Sequence, residues 1–134
     1  MAVQKLKKIP GFQLPIQTVT IVPCTSNADK PISMKKCQLR AKQVRNKVSK
    51  LFGGFTEVKA QGGYWSSDKK KVIEEPVFSV TAYAESDKFN KHRKEWLDFV
   101  KKKGREWSQE SMGVILETDL TYINTKEKKK KAKK

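Results

Sequence analysis

Residues 55–85 read FTEVKAQGGYWSSDKKKVIEEPVFSVTAYAE, and this stretch decides the architecture. From Phe78 onward the side chains alternate. Phe78, Val80 and Ala82 fall on one face and Ser79, Thr81 and Tyr83 on the other, which is the period of a β-strand. Residues 55–66 read as a second strand, and Ser67 to Lys71 (SDKKK) joins the two as a hairpin-type connection. The Gly62-Gly63 pair predicts a break or bulge in the first strand. Pro76 cannot donate to a ladder, so it belongs near the start of the second strand's paired portion or on an edge.

Working outward, a helix lies on each side of this hairpin. Ser33 is an N-cap candidate for a helix running to about Phe52, whose apolar residues Cys37, Ala41, Val44, Val48 and Leu51 recur at intervals of 4, 3, 4 and 3. Gly53 follows and suits the left-handed residue that ends a helix. Ser86-Asp87 opens a second helix with the stripe Phe89, Trp96, Val100 and Trp107, widened by Leu97. Ile16–Val22 (IQTVTIV) is a β-branched strand stopped by Pro23. Met112–Ile123 reads as the last strand, with Met112, Val114, Leu116, Leu120 and Tyr122 alternating against Glu117, Asp119 and Thr121. The order is β-α-β-β-α-β. It predicts a ferredoxin-like α+β sandwich, a four-stranded antiparallel sheet with both helices on one face. The expected division is a basic extension at 1–15, one α+β domain at 16–123 and a lysine-rich tail at 124–134, too charged to fold alone.

The chain has 134 residues and a formal net charge of +16. Taking away the +6 of residues 126–134 and the +3 of residues 1–8 leaves +7 on residues 9–125. Such a chain attracts polyanions, nucleic acid first among them. Arg40, Arg45, Arg93 and Arg105 are the only arginines. Lysine acts as a point charge where arginine forks onto a base or phosphate, so the composition favours phosphate attraction over sequence reading. No apolar run approaches the roughly 20 residues of a membrane span, and no signal-peptide core is present. Cys24 and Cys37 therefore read as reduced thiols in a cytoplasmic protein, or one held in a nucleoprotein particle or virion.

Tests for catalysis come out negative at this level. The single histidine, His92, sits among lysines and reads as a solvated helix-surface residue. No zinc-ligand spacing is available from one histidine and two cysteines. Glu74-Glu75 and Glu117 with Asp119 read as surface acids pairing with lysines. Neither Gly53-Gly54 nor Gly62-Gly63 matches a phosphate-loop pattern. The sequence thus predicts a protein that is not an enzyme, with no cofactor and no metal.

Binding is where the residues point. Lys35, Lys42 and Lys50, flanked by Arg45, lie away from the first helix's apolar stripe, and Lys91, Lys94, Lys101 and Lys102 crowd the solvent side of the second. With both helices on one face these residues form a basic wall, extended by the tail lysines Lys128, Lys129, Lys130, Lys131, Lys133 and Lys134. The sheet's other face is open, and Tyr64, Trp65 and Tyr83 are the candidates for stacking a base or holding a ligand, with Tyr83 projecting there and alternation placing only one of Tyr64 and Trp65 on it. The RNA-recognition-motif signature is absent, and an open face also suits a homodimer. The expectation is a non-enzymatic, nucleic-acid-associated accessory protein that tracks the phosphate backbone of DNA or RNA with little sequence preference. Its alternatives are a structural component of a virion or ribonucleoprotein particle, and a dimeric module binding a small anionic ligand near Gly62-Gly63 and Trp65.

Four segments, Lys50–Thr56 (KLFGGFT), Gly62–Trp65 (GGYW), Glu75–Val77 (EPV) and Trp107–Ser111 (WSQES), resemble a loose group of small phage, plasmid and archaeal proteins with no assigned activity. A G-G-aromatic-Thr, a Gly-x-Trp and a Gln-Glu-Ser segment recur there at similar spacing. The resemblance covers about residues 16–123. It implies an accessory protein of a mobile element or an archaeal genome, and it transfers no catalytic residue.

Overall fold

The structure is a computed structural model, and it describes residues 14–27, 30–116 and 119–126. Strand β1 (Ile16–Pro23) leads through a short ribbon, β2 (Thr25–Ser26) and β3 (Lys30–Pro31), into helix α1 (Met34–Phe52). The hairpin β4 (Thr56–Ser66) and β5 (Lys71–Ala84) follows, then helix α2 (Ser86–Glu106) and the hairpin β6 (Ser111–Leu116) and β7 (Asp119–Asn124). The main sheet has five strands in the order β4-β5-β1-β6-β7, all neighbours antiparallel. The chain is α+β, with two helices on one face of an antiparallel sheet.

Local chemistry accounts for the elements. The Ser33 hydroxyl accepts from the Lys36 amide at 3.1 Å and caps α1. Gly53 ends that helix at φ 109°, its amide donating to the Ser49 carbonyl at 2.8 Å. Pro76 lies inside β5, one residue before β5 begins to pair with β1 at Val77, where the neighbouring edge is free. Cys37, Ala41, Val44, Val48 and Leu51 of α1 and Phe89, Trp96 and Val100 of α2 close over Val22, Phe78, Val80, Ala82, Met112 and Val114 of the sheet. Trp96 is fully buried, so truncating it to alanine removes about 3–5 kcal/mol.

Three expectations need correction. The sheet has five strands, not four, because residues 112–123 form two strands rather than one. Their pairing sets Tyr122 opposite Gly113, on the helix-free face, whereas a single strand would put it beside Met112 and Val114. Alternation alone cannot reveal a chain reversal that falls between polar residues. Second, β4 runs without a break: Gly62 and Gly63 stay in register with Glu75 and Glu74. A Cβ on Gly63 would lie 2.8 Å from the Ile73 carbonyl oxygen, so glycine there answers a close backbone approach rather than a bulge. Third, Cys24 and Cys37 are joined in a disulfide. The β2–β3 ribbon folds the chain back so that the first turn of α1 faces the end of β1, bringing the two Cα atoms to 5.1 Å. No helix among the described residues is long and apolar enough to cross a membrane.

Candidate functional site

With both helices on one side, alternate residues of every strand face away from them. Ile21 and Pro23 of β1, Ala60, Gly62 and Tyr64 of β4, Glu75, Val77 and Ser79 of β5, Ser111, Gly113 and Ile115 of β6, and Tyr122 of β7 line a groove of about 720 Å³ on that face. Its floor is aliphatic, and Val77 is buried although no helix covers it. Two phenols stand over the groove: Tyr64 is half exposed, and the exposed Tyr122 lies against Gly113, where an added Cβ would meet its ring at 3.4 Å.

Glu75 is the one charged side chain among the described residues lining the groove. Its Oε1 accepts a hydrogen bond from the Thr25 hydroxyl at 2.9 Å. Gln109, also in the lining, donates from Nε2 to the Thr25 carbonyl at 2.7 Å and to the Trp107 carbonyl at 3.1 Å. Beyond the strand end, Thr125 is buried and its hydroxyl donates to the Gln109 carbonyl at 2.7 Å, which anchors the segment carrying Gln109 and Ser111.

A second hollow, of about 490 Å³, opens around Gly53, Gly54, Phe55, Tyr83, Glu85 and Lys88 at the other end of β5. The three aromatic candidates are therefore not brought together. Tyr64 enters the groove and Tyr83 the second hollow, where its hydroxyl accepts from Gln17 at 3.1 Å. Trp65 is exposed on the opposite face of β4 from Tyr64.

The basic residues of the helices fall in two groups: Lys35, Lys42 and Arg45 of α1 lie with Glu57 and Phe78 on the β4–β5 side, and Lys94 and Lys101 of α2 with Leu116, Thr121 and Ile123 on the β6–β7 side. Lys35, Lys42, Lys50, Lys91, Lys101 and Lys102 are exposed, and none lies within salt-bridge distance of a carboxylate among the described residues. Arg45 is drawn to Glu57 at 3.0 Å and Lys94 to Asp98 at 2.9 Å. Hydrogen bonding and charge from Lys47 hold the Glu95 carboxyl below its ordinary range, and Lys94 does the same to Asp98. His92 lies 3.9 Å from Glu95. The tail lysines Lys128, Lys129, Lys130, Lys131, Lys133 and Lys134 lie outside the described residues. No cluster of three or more metal-ligating side chains occurs among the described residues.

Sequence reasoning missed Glu75, Gln109, Ser111 and Tyr122 as groove residues. A signal was present for Glu75, because the β5 alternation extended backwards from Val77 reaches it. The Gly62–Tyr64, Glu75–Val77 and Gln109–Ser111 segments, distant in sequence, converge on this one groove.

No protein-family model matches the chain, and neither does any curated protein sequence. Among solved structures, a phage SAM lyase in complex with S-methyl-5'-thioadenosine matches with a TM-score of 0.58 at 13% identity, over 87% of this chain and 95% of its own. A phage SAM lyase in the apo state gives 0.58 at 11% identity, over 90% of this chain and 100% of its own. At such identities the likeness is one of fold. It overturns the expectation of a non-enzyme: the catalytic tests sought histidine, metal ligands and paired carboxylates, while the fold matched here along almost its whole length is that of a lyase.

Proposed function

We propose that the chain binds an adenosyl sulfonium in the groove on the helix-free face and cleaves its carbon–sulfur bond, as a lyase acting on S-adenosylmethionine. One observation carries this reading. In a chain of net charge +16, the described groove lining holds a single charged side chain, and it is a carboxylate. A groove without lysine or arginine on so basic a protein disfavours phosphate and favours a cation. Tyr64 and Tyr122 offer ring faces on which a purine stacks and against which a sulfonium is attracted. The volume falls within the range of small-molecule sites. The ferredoxin-like frame, with β7 added at the edge, sets this groove on one side of the sheet and the basic helices on the other.

The phage neighbour supplies the chemistry. S-methyl-5'-thioadenosine is what the sulfonium leaves when the bond from sulfur to the aminobutyryl chain breaks and the electron pair goes to sulfur. The carbon that loses the pair regains it from the substrate's own carboxylate oxygen, closing a lactone, or from the neighbouring C–H bond, whose proton passes to solvent water as a C=C bond forms. Either route extinguishes the charge on sulfur, and such a step is favoured where water is excluded. Ile21, Val77 and Ile115 give this step an apolar floor, and Glu75 orients the cation over it.

Thermal unfolding of the full chain with S-adenosylmethionine and with S-methyl-5'-thioadenosine tests the assignment. Saturable stabilisation by both is expected. Glu75→Gln weakens the response to the cationic compound more than to the neutral one. No stabilisation by either compound at millimolar concentration sinks it.

We propose a second role for the helix surface. The exposed lysines of α1 and α2, unpaired among the described residues, suit sequence-independent attraction to a nucleic-acid backbone.

A further inference from the structure

Glu75 is not left to find its own place in the groove. The Thr25 hydroxyl that donates to it belongs to a side chain that is itself buried. The Thr25 carbonyl is clamped by two donors, Arg40 Nη1 at 2.8 Å and Gln109 Nε2 at 2.7 Å. Arg40 also donates to the Pro23 carbonyl at 2.7 Å and to the Ser26 hydroxyl at 3.0 Å, and its guanidinium lies 5.1 Å from the centre of the Trp107 ring. No carboxylate lies within salt-bridge distance of this buried cation among the described residues, and burial pushes its pKa down from the ordinary value. A buried guanidinium without a counter-ion is costly. Here its donors are spent on one strand end, Pro23 to Ser26, which the Cys24–Cys37 disulfide also ties to α1.

We infer that Thr25 is a positioning residue for the groove's carboxylate. Held by Arg40 and Gln109, its hydroxyl fixes one oxygen of Glu75 and leaves the other free to meet a bound cation. The inference rests on the sulfonium reading of the groove. Without the hydroxyl the carboxylate is released among its rotamers. Substrate still enters a groove formed by other residues, but it reaches the reactive geometry less often. The loss therefore falls on kcat rather than KM.

The test compares the wild-type full chain with Thr25→Val, Thr25→Ser and Glu75→Gln, using S-adenosylmethionine and measuring release of S-methyl-5'-thioadenosine. Valine matches threonine in shape without the hydroxyl, and Thr25→Ala serves the same purpose if valine disturbs packing. The hydroxyl-free variant is expected to lose about tenfold or more in kcat, the scale of one hydrogen bond to a charged group, with KM within about twofold. Serine restores kcat to near the wild-type value. A hydroxyl-free variant as fast as wild type, beside an inactive Glu75→Gln, overturns the positioning role and leaves the groove assignment standing. Equal impairment of the serine and valine variants also overturns it, since Thr25 would then act only through packing. A wild-type chain that releases no product overturns both.

Discussion

Glu75 is the single charged side chain among the described residues lining the groove, in a protein of 30 lysines and arginines. Alternation along β5 turns it to the face that the helices do not cover. Replacing it with glutamine keeps the shape and removes the charge, so Tm is expected to stay near wild type while carbon–sulfur cleavage is lost. Gly104 makes a different demand. A Cβ there would collide with Thr125 Cγ2 and lie 2.8 Å from Met112 Cγ, in a helix that otherwise favours alanine. Gly104→Ala is expected to destabilise by about 1–3 kcal/mol through overpacking, measured by urea unfolding. Glu75 was legible from alternation but obscured by the ordinary habit of surface acids to pair with lysines. Thr25 was not legible at all. It meets Glu75 from 50 residues away, and only the fold brings the two together.

At the scale of elements, the helices were the most readable parts. The Cys37-to-Leu51 stripe, the Ser33 cap and the Gly53 stop define α1 because each is a local signal with a local cause. What failed was the last strand. A hairpin whose halves share one alternation looks like a single long strand until pairing is known. The two helices are also tethered by charge: Lys47 on α1 donates to Glu95 on α2 at 2.8 Å. That contact depresses the Glu95 carboxyl in the folded state, and Lys94 depresses Asp98. A folded value below the unfolded one stabilises the fold above the ordinary carboxylate range. The stability is lost as pH falls through the lowered values. Both carboxylates are exposed, so the effect is small and screened by salt. In a Glu95→Gln, Asp98→Asn variant, the acid limb of stability against pH is expected to be shallower than in wild type.

The whole molecule presents two unlike faces. The helix side carries exposed lysines, whereas the groove on the sheet side has a single acidic charge among its described lining residues. The net charge was plain in the sequence, but its absence from the groove was not, because composition does not say which face a residue takes. If the helix face tracks phosphate, changing Lys91, Lys101 and Lys102 to glutamine reduces the slope of log affinity against log salt for duplex DNA by about 0.9 per lysine contacting phosphate. An unchanged slope would remove that surface from the account. The two proposed roles are separable by experiment, since the same variant is expected to leave sulfonium cleavage intact. The most direct test of the central claim is incubation of the purified full-length chain with S-adenosylmethionine, with chromatographic detection of S-methyl-5'-thioadenosine. Product formed by wild type and not by Glu75→Gln is the predicted result. No product from wild type, or equal product from both, would contradict the assignment of the groove.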